Sequence, residues 1–216
     1  MSFTDHIIAF LQNGGPFIYP IALVLIVGLA ITIERWIYLS SAHRTNQKAF
    51  SLIANALKTG DVETISKHAQ TNKAPVFDVL KSGIARLPQA SRREDIEYAM
   101  EETVMEYMLR LEKRTPFIAT LANIATLLGL LGTIMGLIAA FSAVASADPA
   151  EKANLLSSSI SVAMNTTAFG LITAIPLILF HSSLQTKTAT IVDSIEMAGI
   201  KLLNSLSFTQ QDQNRG

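Results

Sequence analysis

Three long apolar runs, separated by polar stretches of very unequal length, set the plan of the chain. Residues 17–33 are apolar on every side of a helix, and Glu34, Arg35, Trp36 and Tyr38 close them with a charged edge and an aromatic belt. Residues 115–147 contain no charged side chain at all. Residues 155–186 contain no Asp, Glu, Lys or Arg. A helix of about 17–25 predominantly apolar residues crosses a bilayer, so the pattern predicts three transmembrane helices, at 16–39, 115–147 and 155–186. The fold class is an all-α membrane protein.

The polar stretches read as helical extensions. Residues 1–15 begin with a short amphipathic segment, with Phe3, Ile7, Phe10 and Leu11 on one face. It is predicted to lie at the outer membrane–water interface. Residues 40–114 show helical periodicity with breaks at Gly60-Asp61, Asn72 to Pro75 and Leu87-Pro88. In the last helix of this region Ser91 stands three residues before Glu94, which is capping-box spacing. Ile96, Met100, Thr103, Val104, Tyr107 and Leu111 then recur at helical period. The charges opposite them read as a solvated face or a docking surface. Residues 148–154 form a short connection. Residues 187–216 form a polar helix to about Leu206 and a disordered tail from Thr209.

Charge orients this arrangement. Residues 34–114 hold 13 of the 17 Lys and Arg, and the connection at 148–154 holds only Lys152. The excess of positive charge stays on the cytoplasmic side. The 40–114 region and the C-terminus are therefore expected in the cytoplasm, and the N-terminus outside. Residues 1–33 lack Lys and Arg, so no cleavable signal peptide is expected. The chain has no cysteine, which removes thiol nucleophiles, disulfides and cysteine-ligated metal from consideration.

The spans themselves carry the candidate chemistry. The second holds Gly129, Gly132 and Gly136 around Thr133. The third holds Asn165, Thr166 and Thr167, with Ala163, Gly170 and Ala174 as small positions and Pro176 as an expected kink. Small residues let helices approach closely in a membrane. If the second and third spans are antiparallel neighbours, Thr133, Thr166 and Thr167 lie at one depth. Such hydroxyls either bond their own helix carbonyls or line a polar path. Asn165 is expected to find a helix partner or water. Hydroxyls and amides bind water or cations but do not titrate near neutral pH. The chain can thus supply a wall for an ion but not a proton carrier. No Gly-x-Ser-x-Gly, His-Glu-x-x-His or Walker motif occurs, and no catalytic residue, metal site or cofactor is read from the sequence.

Leu128-Gly129-Leu130-Leu131-Gly132-Thr133-Ile134-Met135-Gly136 resembles the second-helix signature of the MotA/TolQ/ExbB family. Asn165 to Leu171 with Ala174-Ile175-Pro176 resembles its third-helix signature. Gly14-Gly15-Pro16 with Glu34-Arg35 is similar to the start and finish of its first helix. Three spans place the resemblance nearer ExbB and TolQ than the four-span flagellar proteins.

The resemblance implies a homopentamer around a dimer of single-span ExbD/TolR-like partners, whose membrane aspartate carries a proton. It implies Thr133 and Thr167 as lining of the ion path, and work delivered, through a TonB/TolA-like protein, to the periplasm or outer membrane. The location it implies is the bacterial inner membrane, and no nucleic acid is expected as a partner. Two departures stand out. ExbB and TolQ commonly carry a glutamate early in the third helix, and Val162 stands there. Thr166-Thr167 is a double threonine similar to that of the sodium-driven stator branch. A sodium-driven or flagellar-stator-like subunit is therefore the alternative, and a passive membrane scaffold is the alternative of another class.

Overall fold

A computed structural model describes residues 15–213, with side chains described for 15–206. The interfacial helix expected at the N-terminus lies outside the described residues. Among those described, the structure is helical without strands: α1 Ile18–Thr59, α2 Val62–Thr71, α3 Pro75–Arg86, a 3-10 turn Leu87–Gln89, α4 Arg93–Glu112, α5 Thr115–Ser146 and α6 Lys152–Gln213. Three of the helices are long and apolar enough to cross a membrane. The third continues through Thr209 to Gln213, past the point where a disordered tail was expected.

Each break has a local cause. Gly60 ends α1 with φ +70°, the left-handed conformation that favours glycine, and the Asp61 amide returns to Ala56 O at 3.0 Å. Asp61 then caps α2 by accepting from the Thr64 amide at 3.0 Å and the Thr64 hydroxyl at 2.6 Å. These bonds, the hydroxyl's first, hold its carboxyl below the ordinary 3.8. Pro75 opens α3, where a missing N–H is harmless. The start of α4 corrects the sequence reading. Asp95, not Glu94, caps it by accepting from the Ser91 and Arg92 amides at 2.9 and 3.0 Å. Pro116 falls in the first turn of α5, and α6 continues unbroken through Pro176.

The chain divides into two compact units. The first comprises the chain up to Glu34 together with Arg114–Ser182. It is a bundle of the opening of α1, all of α5 and the first half of α6. Its outward side chains include Leu23, Ile26, Leu127, Ile138, Ile172 and Leu179, all at least half exposed. Among its described residues, charges occur only at Glu34, Arg114, Asp148, Glu151 and Lys152. Polar backbone satisfied within helices and apolar side chains facing outward are what a bilayer demands.

The second unit comprises Arg35–Lys113 and the chain from Ser183. Ile53, Leu57, Ile65, Phe77, Leu80, Ile191, Ile195 and Leu202 form its core. Two buried polar residues organise it. Asn46, 1% exposed, donates to Ser194 Oγ at 2.6 Å and accepts from the Val76 amide at 3.1 Å. It ties α1 to α6 and to the first turn of α3. Arg35, 3% exposed, donates to the carbonyls of Leu111 at 2.5 Å and Arg110 at 3.4 Å. The Tyr107 hydroxyl donates to the Asp78 carboxylate, joining α4 to α3. Its pKa is pushed up to about 12, first by burial and then by that carboxylate.

Candidate functional site

The site is built where α5 and α6 touch within the first unit. The two helices run antiparallel, and small residues set their spacing. A Cβ on Gly170 would fall 2.7 Å from Ala125 O and 3.0 Å from Gly129 Cα. One on Gly129 would fall 3.3 Å from the Cα atoms of Gly170 and Thr167. Gly136 stands against Ala163, and Gly132 against the methyl of Thr166 and the side chain of Phe17. Ala174 is buried on the same helix. The backbones meet directly where Gly129 faces Gly170, because neither presents a side chain there.

That approach brings two hydroxyls together. Thr133 and Thr167 touch through their Oγ atoms, one donating to the other. Each also lies within reach of a single carbonyl, that of Gly129, at 3.1 Å for Thr133 and 2.9 Å for Thr167. Ala163 O is a further acceptor for Thr133 at 3.5 Å. Thr133 satisfies its own helix in the ordinary way for a membrane threonine. Thr167 does not: it reaches an acceptor on the neighbouring helix. Thr120, Thr126, Ser142 and Thr32 all bond carbonyls four residues back instead.

The adjacent threonine is placed differently. Thr166 is 2% exposed, directs its hydroxyl to Val162 O at 3.0 Å and fills the space left by Gly132. In this subunit its side chain packs between the helices, with its hydroxyl on the carbonyl one turn back. Asn165 is partly exposed, and its amide makes no hydrogen bond among the described residues, so it is available to water or to another chain. Val162 also packs within the bundle, 3.2 Å from where a Cβ on Gly15 would lie.

Several residues that shape this bundle were not singled out by the sequence. A Cβ on Gly28 would fall 2.8 Å from Leu177, and Thr32 bonds Gly28 O at 2.7 Å. Thr173 is fully buried, and its hydroxyl has no hydrogen-bond partner among the described residues. The spacing Gly28–Thr32 was a usable signal for a close contact on α1. Thr173 had none beyond its place one turn after Gly170.

The geometry offers an oxygen cluster and nothing acidic. With one hydroxyl proton in the Thr133–Thr167 bond and the other on Gly129 O, lone pairs on the two oxygens remain as acceptors. They can receive a hydrogen bond from a protonated group or contact a cation. Among the described residues, no cluster of His, Asp and Glu capable of holding a metal is present.

A bundle of three long apolar helices with an uncharged hydroxyl pair at its crossing defines a polytopic membrane protein. A family model for the MotA/TolQ/ExbB proton channel family matches residues 71–197, and the chain belongs to that family. It is 28% identical over 200 residues to an ExbB homologue of Methanothermobacter thermautotrophicus, covering 91% of this chain and 69% of that protein. It is 23% identical over 188 residues to TolQ of the Tol-Pal system of Pseudomonas aeruginosa, covering 80% and 81%. A shorter match, 36% over 81 residues, covers 38% of this chain and 35% of TolQ of Haemophilus influenzae.

Proposed function

We propose that the chain is the wall-forming subunit of an inner-membrane complex that couples proton flow to work in the periplasm or at the outer membrane. TonB-dependent import or the transport of a macromolecule is the kind of work this reading covers. Five copies surround a dimer of ExbD/TolR-like single-span partners, whose membrane aspartate carries the proton. A TonB/TolA-like protein receives the motion. The N-terminus is periplasmic and the C-terminus cytoplasmic.

One observation carries this reading. Thr167 directs its hydroxyl across to Gly129 O, next to Thr133, in the middle of a span without carboxylates. The arrangement holds two acceptor oxygens at a fixed point facing whatever passes, while leaving the charge to another chain. A carboxylic acid on a partner helix could donate to either hydroxyl and be stabilised in its neutral form while it crosses. Sodium is the second reading, because the two hydroxyls lie with the carbonyls of Gly129 and Ala163. Thr166 directs its hydroxyl to Val162 O instead, which favours the proton.

The test is ion uptake into proteoliposomes holding this chain and its partner. Thr133→Val and Thr167→Val are expected to lower proton uptake at least tenfold, and Thr166→Val to leave it within about twofold. Unchanged uptake in the first two variants would remove the proposed path. Weakened assembly with normal uptake per complex would instead identify a passive scaffold. A sodium gradient in the same vesicles separates the two ions.

A further inference from the structure

In the second unit, α4 and the last part of α6 leave between them a groove of about 350 Å³. Met100, Met105 and Met108 wall it, and Glu97, Glu101 and Glu196 rim it. No basic residue lines it, and these glutamates have no ion-pair partner among the described residues. Met105 is 64% exposed. Lipid is a poor cover for this surface, because three carboxylates would enter the bilayer with it. Methionine-lined surfaces adapt readily to an incoming shape, and the rim selects a basic one.

A complementary surface lies on the same chain. Along α1, Arg44, Lys48, Leu52 and Lys58 are exposed, within roughly 120° of one another at about 100° per residue. They stand opposite the buried Asn46, Ala49, Ile53 and Leu57. The three basic side chains have no ion-pair partner among the described residues, and Leu52 is 57% exposed.

The two surfaces lie at one height along the helices. Asn46 bonds Ser194, Lys201 lies 4.9 Å above the Phe50 ring, and the Met100 sulfur lies 3.5 Å from where a Gly199 Cβ would be. Glu196 and Glu101 are therefore level with residues 46–50 of α1. They also belong to different sides of α6. The groove uses its Glu196 and Ile200 face, while α1 is met by the side bearing Ser194 and Lys201.

We propose that the acidic methionine groove of one copy receives the Arg44–Lys48–Leu52 stripe of the next. Two different patches in mutual contact make a head-to-tail interface. Such an interface closes into a ring when the patches share a height about an axis along the membrane normal. The charges set register and partner choice more than strength. The inference rests on the homo-oligomeric reading above.

The test exploits the absence of cysteine from the chain. The full chain carrying both Lys48→Cys and Glu196→Cys is oxidised mildly in native membranes. A ladder of covalent oligomers is expected, at least tenfold above either single variant, because a head-to-tail contact does not bring one residue against its own copy. Reversing Arg44→Glu with Lys48→Glu, or Glu101→Lys with Glu196→Lys, should reduce the oligomer, and combining all four should restore it. An intact oligomer by native mass without a ladder overturns this interface and leaves the oligomeric reading standing. A monomer in native lipid removes both. Efficient dimers from one single-cysteine variant overturn the head-to-tail geometry. Two outcomes with an intact oligomer also overturn the proposal: loss of binding to anionic vesicles alone makes the stripe a lipid surface, and loss of another co-purifying chain alone gives the groove to that chain.

Discussion

The Arg35 guanidinium donates to the carbonyl of Leu111 at 2.5 Å, across 76 residues of sequence. The last carbonyls of α4 have no partner within the helix, and a buried cation there both bonds them and opposes the helix dipole. Tyr38 covers the guanidinium, with the ring centroid 4.6 Å away. Arg35→Leu leaves those carbonyls buried and unpaired, so it should cost about 2–3 kcal/mol. Arg35→Lys should recover only part of this, because an ammonium lacks the planar stacking surface. Thermal unfolding in detergent, followed by helical circular dichroism, ranks the three proteins.

Two glycines should respond to the same substitution with opposite sign. Gly170→Ala drives a methyl into Ala125 O and Gly129, both backbone, so the helices must separate; a loss of about 1–3 kcal/mol is expected. At Gly199 the nearest atoms are the Met100 side chain, at 3.5 and 3.6 Å. Gly199→Ala should instead stabilise the second unit by about 0.4–1 kcal/mol. Equal effects in unfolding measurements would contradict the close crossing of α5 and α6.

Asn46 makes a sharper case than its neighbours on α1. Asn46→Leu keeps the volume but orphans the Val76 amide at the start of α3 and removes the donor to Ser194. A cost of about 2–4 kcal/mol follows from one buried unsatisfied donor plus a lost side-chain bond. Asn46→Asp preserves the acceptor for Val76, and the Ser194 hydroxyl can turn to donate, so its loss at neutral pH should be smaller. Amide hydrogen exchange at the first turn of α3 reads the difference.

The Tyr107 hydroxyl predicts an alkaline limb in stability. Its folded pKa, near 12, lies above the ordinary 10.0. Its contribution is therefore whole below pH 10 and is lost as the pH rises from there toward 12. Tyr107→Phe should cost about 1 kcal/mol at neutral pH, discounted because the ring is only partly buried. It should also lose that part of the alkaline fall. Tyrosinate absorbance, wild type minus variant, locates the titration directly.

The sequence showed the spans, the glycine contacts and the position of Thr133 beside them, because each is written in a local period of a single helix. Thr166 and Thr167 were harder. Adjacent residues on a helix point about 100° apart, so only one of them can meet Thr133, and choosing it requires the rotation of α6 about its axis. Asn46 and Arg35 were read as ordinary members of a polar helix and a charged edge. Their partners lie 148 and 75–76 residues away, beyond any local pattern. The cap of α4 was misplaced by one residue because Asp95 and Glu94 both carry carboxylates, and the shorter one reaches the amides.

The uncharged interior of the first unit also has an electrical consequence. A unit charge crossing a membrane gains or loses about 2.3 kcal/mol per 100 mV, whereas a bundle with no fixed charge inside the field gains nothing by moving. The α1, α5 and α6 spans should therefore carry no gating current of their own. A voltage step applied to membranes holding this chain alone should displace no protein charge. Any voltage sensitivity of the assembled machine must enter through the moving ion or through a helix from another chain.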